Sequence, residues 1–288
     1  GTALMAAAKA EIVAVKTEDE VVLHGALYEV NDSSPLAVIL QHGAAMNFYT
    51  GLGRFLPARL ARAGIPCLSA NNRGHDFGTA PDEDKKPVRG LMRDRFQDCV
   101  KDLRALAGFM QQRGYHRLVL VGHSQAVTKI VYAQNQEQLA AVQGLVLVSP
   151  PPSYSEILKF LVSRNAYERG LFKAGELAGL GMFEQLIVLV GRGTMPWVFT
   201  AKTFLDFYGP DAPGDTQELV RGITCPMLLV RGSRDFLPVS RQLLQTIKNQ
   251  AGDPERCRIV ELEGADHFYR GHEEQLSELI ISWIKSLN

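Results

Sequence analysis

Three side chains of complementary chemistry stand far apart in this chain: Ser124, Asp235 and His267. A serine hydroxyl becomes a useful nucleophile when a base takes its proton, and a histidine base needs a carboxylate to fix its orientation. Ser124 lies in Gly122-His123-Ser124-Gln125-Ala126, after the apolar run Leu118-Val119-Leu120-Val121 and before an apolar-periodic segment, Ala126 to Tyr132. A serine between a buried strand and a helix start is what a nucleophile elbow requires. Small residues two before and two after the serine let strand and helix approach; the second is Ala126, where the full pattern has glycine. Asp235 follows the strand-like Met227 to Gly232, and His267 follows Cys257 to Leu262. Asp266 is a weaker acid, because adjacent side chains point apart. A competing role for Asp235 is to complement the dipole of a helix expected over Pro238 to Ile247.

Three residue types at three strand ends converge if the strands are parallel, since their carboxyl ends then share one edge. The order serine, acid, histidine at these positions resembles the α/β-hydrolase superfamily, in its esterase/lipase-like form with a helical cap. The resemblance implies a mostly parallel sheet with helices on both faces and an inserted cap. It also implies catalysis without cofactor or metal, and an oxyanion hole of two backbone N–H groups. One donor is that of Gln125, directly after the serine. The other is that of Ala44, in the loop after the strand Leu36 to Gln41. His42 in that loop is expected to brace it. Asn71-Asn72-Arg73-Gly74-His75-Asp76 resembles the family's Arg-Gly-His-Gly turn and is read as structural, with substrate contact by His75 or Asp76 as the alternative. His123 is expected to pack or position.

The elements needed to hold these groups are visible. Glu11 to Lys16 and Val21 to Glu29 read as an antiparallel edge pair. Leu36 to Gln41, Ile65 to Ala70, Leu118 to Val121 and Gly144 to Ser149 read as buried strands. They alternate with amphipathic segments marked by Leu52, Phe55, Leu56 and Leu60, and by Phe96, Val100, Leu103, Ala107 and Met110. Leu276, Leu279, Ile280, Trp283, Ile284 and Leu287 mark a last helix. Residues 153–221 break the rhythm, with helix-like runs but no convincing strand pair. We read them as a cap or lid, inserted between core segments 1–152 and 222–288. Gly191-Arg192-Gly193 lacks the lysine and context of a phosphate loop and is read as a cap loop.

Composition narrows the function. Basic and acidic residues balance at 31 each, so no charge asymmetry points to nucleic acid or an anionic membrane. The four cysteines form no Cys-x-x-Cys pair or zinc-like cluster, and Cys67 and Cys225 sit in apolar contexts suited to burial. No segment has the apolar length to span a bilayer. Gly1 to Ala10 lacks the basic start and apolar stretch of a signal peptide, so the expected location is cytoplasmic. The first expectation is a serine hydrolase cleaving a carboxylic ester, thioester or lactone of partly apolar character. C–C bond hydrolysis or acyl transfer on the same triad stays open, as does a non-catalytic ligand-binding protein.

Overall fold

The computed structural model describes residues 9–30, 35–80, 88–191, 196–213 and 215–287. Along the chain it runs β1 (Glu11–Lys16), β2 (Val22–Tyr28), β3 (Leu36–Gln41), α1 (Leu56–Arg62), β4 (Cys67–Ala70), α2 (Cys99–Gln112), β5 (Arg117–His123), α3 (Gln125–Glu137) and β6 (Val142–Val148). It continues with α4 (Tyr154–Val162), α5 (Arg164–Gly179), β7 (Leu186–Val190), β8 (Pro196–Thr200), α6 (Ala201–Tyr208), α7 (Thr216–Leu219), β9 (Met227–Gly232), α8 (Arg241–Gln250), β10 (Cys257–Leu262) and α9 (Glu273–Lys285).

Among the described residues the main sheet has eight strands in the order β1-β2-β4-β3-β5-β6-β9-β10. From β4 to β10 neighbours are parallel, while β2 is antiparallel to both β4 and β1. The burial patterns explain the division. Every residue of β3 is buried, as a strand covered on both faces must be. In β1 burial alternates from Val13 to Lys16, which suits an edge strand with one wet face. Two apolar layers result. Ile39, Leu120, Leu147 and Leu229 point to the side covered by α2, α3 and α8. Val38, Val119, Val146 and Val230 point to the side covered by α1 and α9. Fully burying such a side chain contributes on the order of 1.5–3 kcal/mol, so the central strands form the most strongly determined part of the fold.

Between β6 and β9 lies the cap. Its helices α4 to α7 agree with a helical insertion, but β7 and β8 correct the expectation that residues 153–221 hold no strand pair: they form an antiparallel ribbon. The Leu-Ile-Val-Leu-Val run of β7 is rich in β-branched residues and too short for a packed helix, which is why it extends. Of the Gly191-Arg192-Gly193 loop, positions 192 and 193 lie outside the described residues. The cap has its own apolar centre around Leu158, Phe199, Phe204 and Phe207, stitched to the core by Leu91 and Phe96. The Phe96 ring lies 5.7 Å from both Tyr154 and Phe207, and Asp206 of α6 accepts from the Phe96 N–H at 2.6 Å. Burial of the two named cysteines is split: Cys67 is buried in β4, whereas Cys225, ahead of β9, is only half-buried.

Candidate active site

Ser124 occupies the turn between β5 and α3 with φ 55° and ψ −122°, a conformation that L-residues avoid. Two bonds hold it there. The Ser124 N–H donates to Val148 O and the Val127 N–H donates to Ser124 O, each at 2.9 Å. The turn closes because Gly122 has no side chain: a Cβ there would stand 2.8 Å from Ile130 Cδ1 and 3.0 Å from the Ala126 backbone. Ala126, where the full pattern has glycine, fits as a buried alanine. Among the described residues Ser124 Oγ makes no hydrogen bond, and its hydroxyl is not used to cap α3.

His267 and Asp235 are brought together from the ends of β10 and β9. His267 Nδ1 lies 2.9 Å from Asp235 Oδ2 and 3.0 Å from Oδ1, with both side chains buried. Burial pushes the Asp235 carboxyl up. Its hydrogen bond and charge interaction with His267, joined by Ser149 and the Leu237 N–H, outweigh this and hold it below the usual carboxylate range. The competing helix-dipole role does not apply, because α8 begins at Arg241 and is capped by Ser240. Asp266 faces away from its neighbour and accepts from the Phe268 and Arg270 N–H groups.

Ser124 is tied to this pair through its neighbour. The His123 ring lies 4.8 Å from that of His267, and its Nε2–H donates to His267 O at 2.9 Å. Burial, then the nearby His267, push His123 down to about 3, so it stays neutral and positions rather than titrates. His42 behaves alike. Burial dominates and lowers it to about 3; its Nε2 accepts from the Asn72 N–H, and Nδ1 donates to Gly43 O at 2.9 Å. It braces the loop after β3.

That loop carries Ala44, and α3 begins at Gln125. Neither N–H makes a backbone hydrogen bond among the described residues. Both residues line, with His267, a cavity of about 220 Å³ walled by Met46, Tyr154, Leu158, Trp197, Phe236 and Phe268. The N-terminus of α3 adds a favourable dipole for negative charge beside Gln125. Arg73 lies outside this cavity and is consumed structurally: its N–H and Nε donate to Asp102 at 2.9 and 2.8 Å, and the guanidinium also pairs with Asp19 and Asp98. His75 Nδ1 lies 2.8 Å from Asp76, which Asn47 also holds; neither His75 nor Asp76 lines the cavity.

Sequence reasoning missed three supports. Tyr154, at the start of the cap, donates to Gln125 O at 2.7 Å and so ties the cap to the β5–α3 turn. Ser149 and Tyr269 share a 3.0 Å hydrogen bond beside Asp235, both at positive φ (52° and 55°). Only Ser149 carried a signal, as the last residue of an apolar strand before prolines. Among the described residues no group of three or more His, Cys, Asp or Glu side chains could hold a metal ion. Nor is any helix there long and apolar enough to cross a membrane.

The alpha/beta hydrolase family profile matches residues 21–279. No curated protein matches the chain. Among solved structures, it is similar to the esterase domain of a Rhodothermus marinus protein (TM-score 0.65, 16% identity, covering 97% of this chain and 100% of that one). It is also similar to Est1E from Butyrivibrio proteoclasticus, solved with ferulic acid bound (TM-score 0.67, 17% identity, 96% and 98%). A third is the alpha/beta hydrolase GrgF from Penicillium sp. sh18 (TM-score 0.73, 14% identity, 96% and 98%). At these identities the structures establish the fold alone. The chain belongs to the alpha/beta hydrolase family. Fold and family together make it a hydrolase.

Proposed function

We propose that the protein is a serine hydrolase that cleaves a carboxylic ester, thioester or lactone with an apolar part. Ser124 Oγ attacks the carbonyl carbon while His267 takes its proton. Asp235 holds the imidazole in the tautomer that leaves Nε2 free to accept, and balances the charge that develops on the ring. The N–H groups of Ala44 and Gln125 donate to the oxyanion. His267 returns the proton to the leaving group, and the resulting acyl-Ser124 ester is hydrolysed by water activated at the same imidazole.

The observation that carries this reading is a buried His267 held by both Asp235 oxygens and packed on His123, the residue before a serine kept at positive φ with its hydroxyl uncommitted. The cavity walls support an apolar acyl or alcohol group. The test is intact mass after incubation with a fluorophosphonate. One adduct on the wild type and none on Ser124→Ala is expected. A folded wild type that takes no adduct, and turns over no member of an ester, thioester and lactone panel, would overturn it.

A further inference from the structure

The walls of the cavity beside Ser124 are mostly apolar, yet two polar side chains open on it with nothing to bond. Four polar residues that line it are more than nine-tenths buried: Gln125, Tyr154, Tyr208 and His267, at 6%, 4%, 5% and 3% exposure. Two of them are committed within the protein. The Tyr154 hydroxyl donates to Gln125 O, and His267 Nδ1 is held by Asp235. The other two are not. Among the described residues neither the Gln125 carboxamide nor the Tyr208 hydroxyl has a hydrogen-bond partner. Neither is sealed off, since the fully enclosed polar atoms left without a partner belong to other residues, such as Asn47, Gln134 and Gln250. Both groups therefore reach open space, and the cavity is what these residues line.

Both are also fixed in place. The Tyr208 ring packs 4.9 Å from Phe199 and 5.6 Å from Phe204, and its carbonyl accepts from the Tyr167 hydroxyl at 2.6 Å. Gln125 opens α3 directly after Ser124, and Tyr154 holds its carbonyl. The Tyr154 ring lies 5.6 Å from that of Phe207, so Gln125 and Tyr208 border one region where the cap meets α3. Burial, then the charge of Asp94, hold the Tyr208 phenol above its usual range, and its hydroxyl stays a neutral donor. Buried polar groups without partners are costly, and two in one cavity call for an occupant that bonds them. Among the described residues no Asp, Glu, Lys or Arg side chain lines the cavity, so a charged group would lose its water there without compensation.

We propose that Gln125 and Tyr208 select an uncharged ester whose acyl part carries a second oxygen, a hydroxyl or a ketone, at carbon 3 or 4. This rests on the serine-hydrolase reading of the same site. The Cα atoms of Gln125 and Ser124 are about 3.8 Å apart across a trans peptide, so the carboxamide stands beside the acyl group that Ser124 carries. The second oxygen accepts from Gln125 Nε2 and from the Tyr208 hydroxyl. A plain acyl chain leaves both donors unpaired in an apolar site, and is rejected for that reason.

The test compares kcat/KM for ethyl pentanoate with that for its 3-hydroxy, 3-oxo and 4-oxo counterparts, each divided by the hydroxide-catalysed rate of the same ester. At least one oxygenated ester should exceed ethyl pentanoate by about 10-fold or more. Tyr208→Phe and Gln125→Met nearly keep the size of each side chain, and each should lower that ratio by about 3–10-fold. The ratio is taken within one variant, so a general loss of activity or of folded protein cancels from it. A ratio kept by either variant overturns the inference. So does a preference confined to an oxygen in the alcohol part, read from 2-methoxyethyl against butyl pentanoate. A wild type that takes the fluorophosphonate adduct but shows no preference, or hydrolyses none of the oxygenated esters, overturns this inference alone. Failure of the hydrolase reading beneath it looks different: no adduct forms, and no ester of any kind is turned over.

Discussion

β5 and β7 look alike as sequence and end differently as structure. Leu118-Val119-Leu120-Val121 and Leu186-Ile187-Val188-Leu189-Val190 are both uninterrupted apolar runs. In β5 all four are fully buried, because neighbouring strands take both edges and helices take both faces. In β7 alternate residues are exposed, and among the described residues β8 is the one strand paired with it. An apolar run tells how much surface has to be covered and leaves open what covers it. Around β5 the chain supplies the cover itself, and the strand can therefore hold a strained serine at its end. Around β7 it supplies half.

The largest expected contrast is catalytic. Ser124→Ala, one residue past β5, should lower kcat by a factor on the order of 10⁶, and Asp235→Asn by about 10⁴, by analogy with triads whose members act as a unit. Both variants should keep wild-type circular dichroism. Truncations on the outer face of β7 should leave kcat within about threefold of the wild type. Steady-state kinetics with any ester the protein accepts would check this. A Ser124→Ala variant with near wild-type turnover would dissolve the functional side of the comparison.

The second contrast is in stability. Leu120→Ala should destabilise by about 2–5 kcal/mol, since a fully buried side chain leaves a cavity that the strands of β3 and β6 cannot collapse into. Urea unfolding followed by tryptophan fluorescence measures it. A cost below about 1 kcal/mol would mean that the layer beneath the β5–α3 turn is loosely packed.

What the sequence made legible follows the same division. β3, β5, β6, β9 and β10 were readable because each apolar run ends at a turn signal and alternates with amphipathic helices. The meeting of Asp235 with His267, and the tight turn at Ser124, were readable because those residues sat at strand ends. β7 and β8 were not. Half-covered strands lose the polar alternation that marks a wet face, and Gly191-Arg192-Gly193 read as a cap loop with nothing in it to mark strands on either side. Ser149 and Tyr269 escaped for another reason: they meet 120 positions apart, and nothing local marks a hydroxyl pair beside a carboxylate. The helix expected from Pro238 starts three residues later, at Arg241, since Ser240 and not Asp235 caps it.

Acid should act on the β5 side and spare the ribbon. His42 and His123 are held neutral at about 3, while an unfolded histidine titrates near 6.5. Between those values the unfolded chain binds protons that the folded chain refuses. Stability is therefore full above about pH 6.5 and declines as pH falls toward 3, by up to about 1.4 kcal/mol per pH unit for each histidine. Urea midpoints from pH 7.5 to 4.5 would show it, and His123→Asn should remove about half of the histidine contribution to the slope. A variant with an unchanged slope would mean that His123 is charged in the fold and so cannot sit as described against His267.

The smallest effect is the most discriminating for β7. Val188→Thr keeps the β-branched shape and places a hydroxyl where the side chain already meets solvent, so the folded chain should change by less than about 0.5 kcal/mol. Its thermal midpoint should stay within about 2 °C of the wild type. If the midpoint shifts by more than about 4 °C, Val188 is packed within its own chain, and the contrast between a covered strand and a half-covered one fails at that residue.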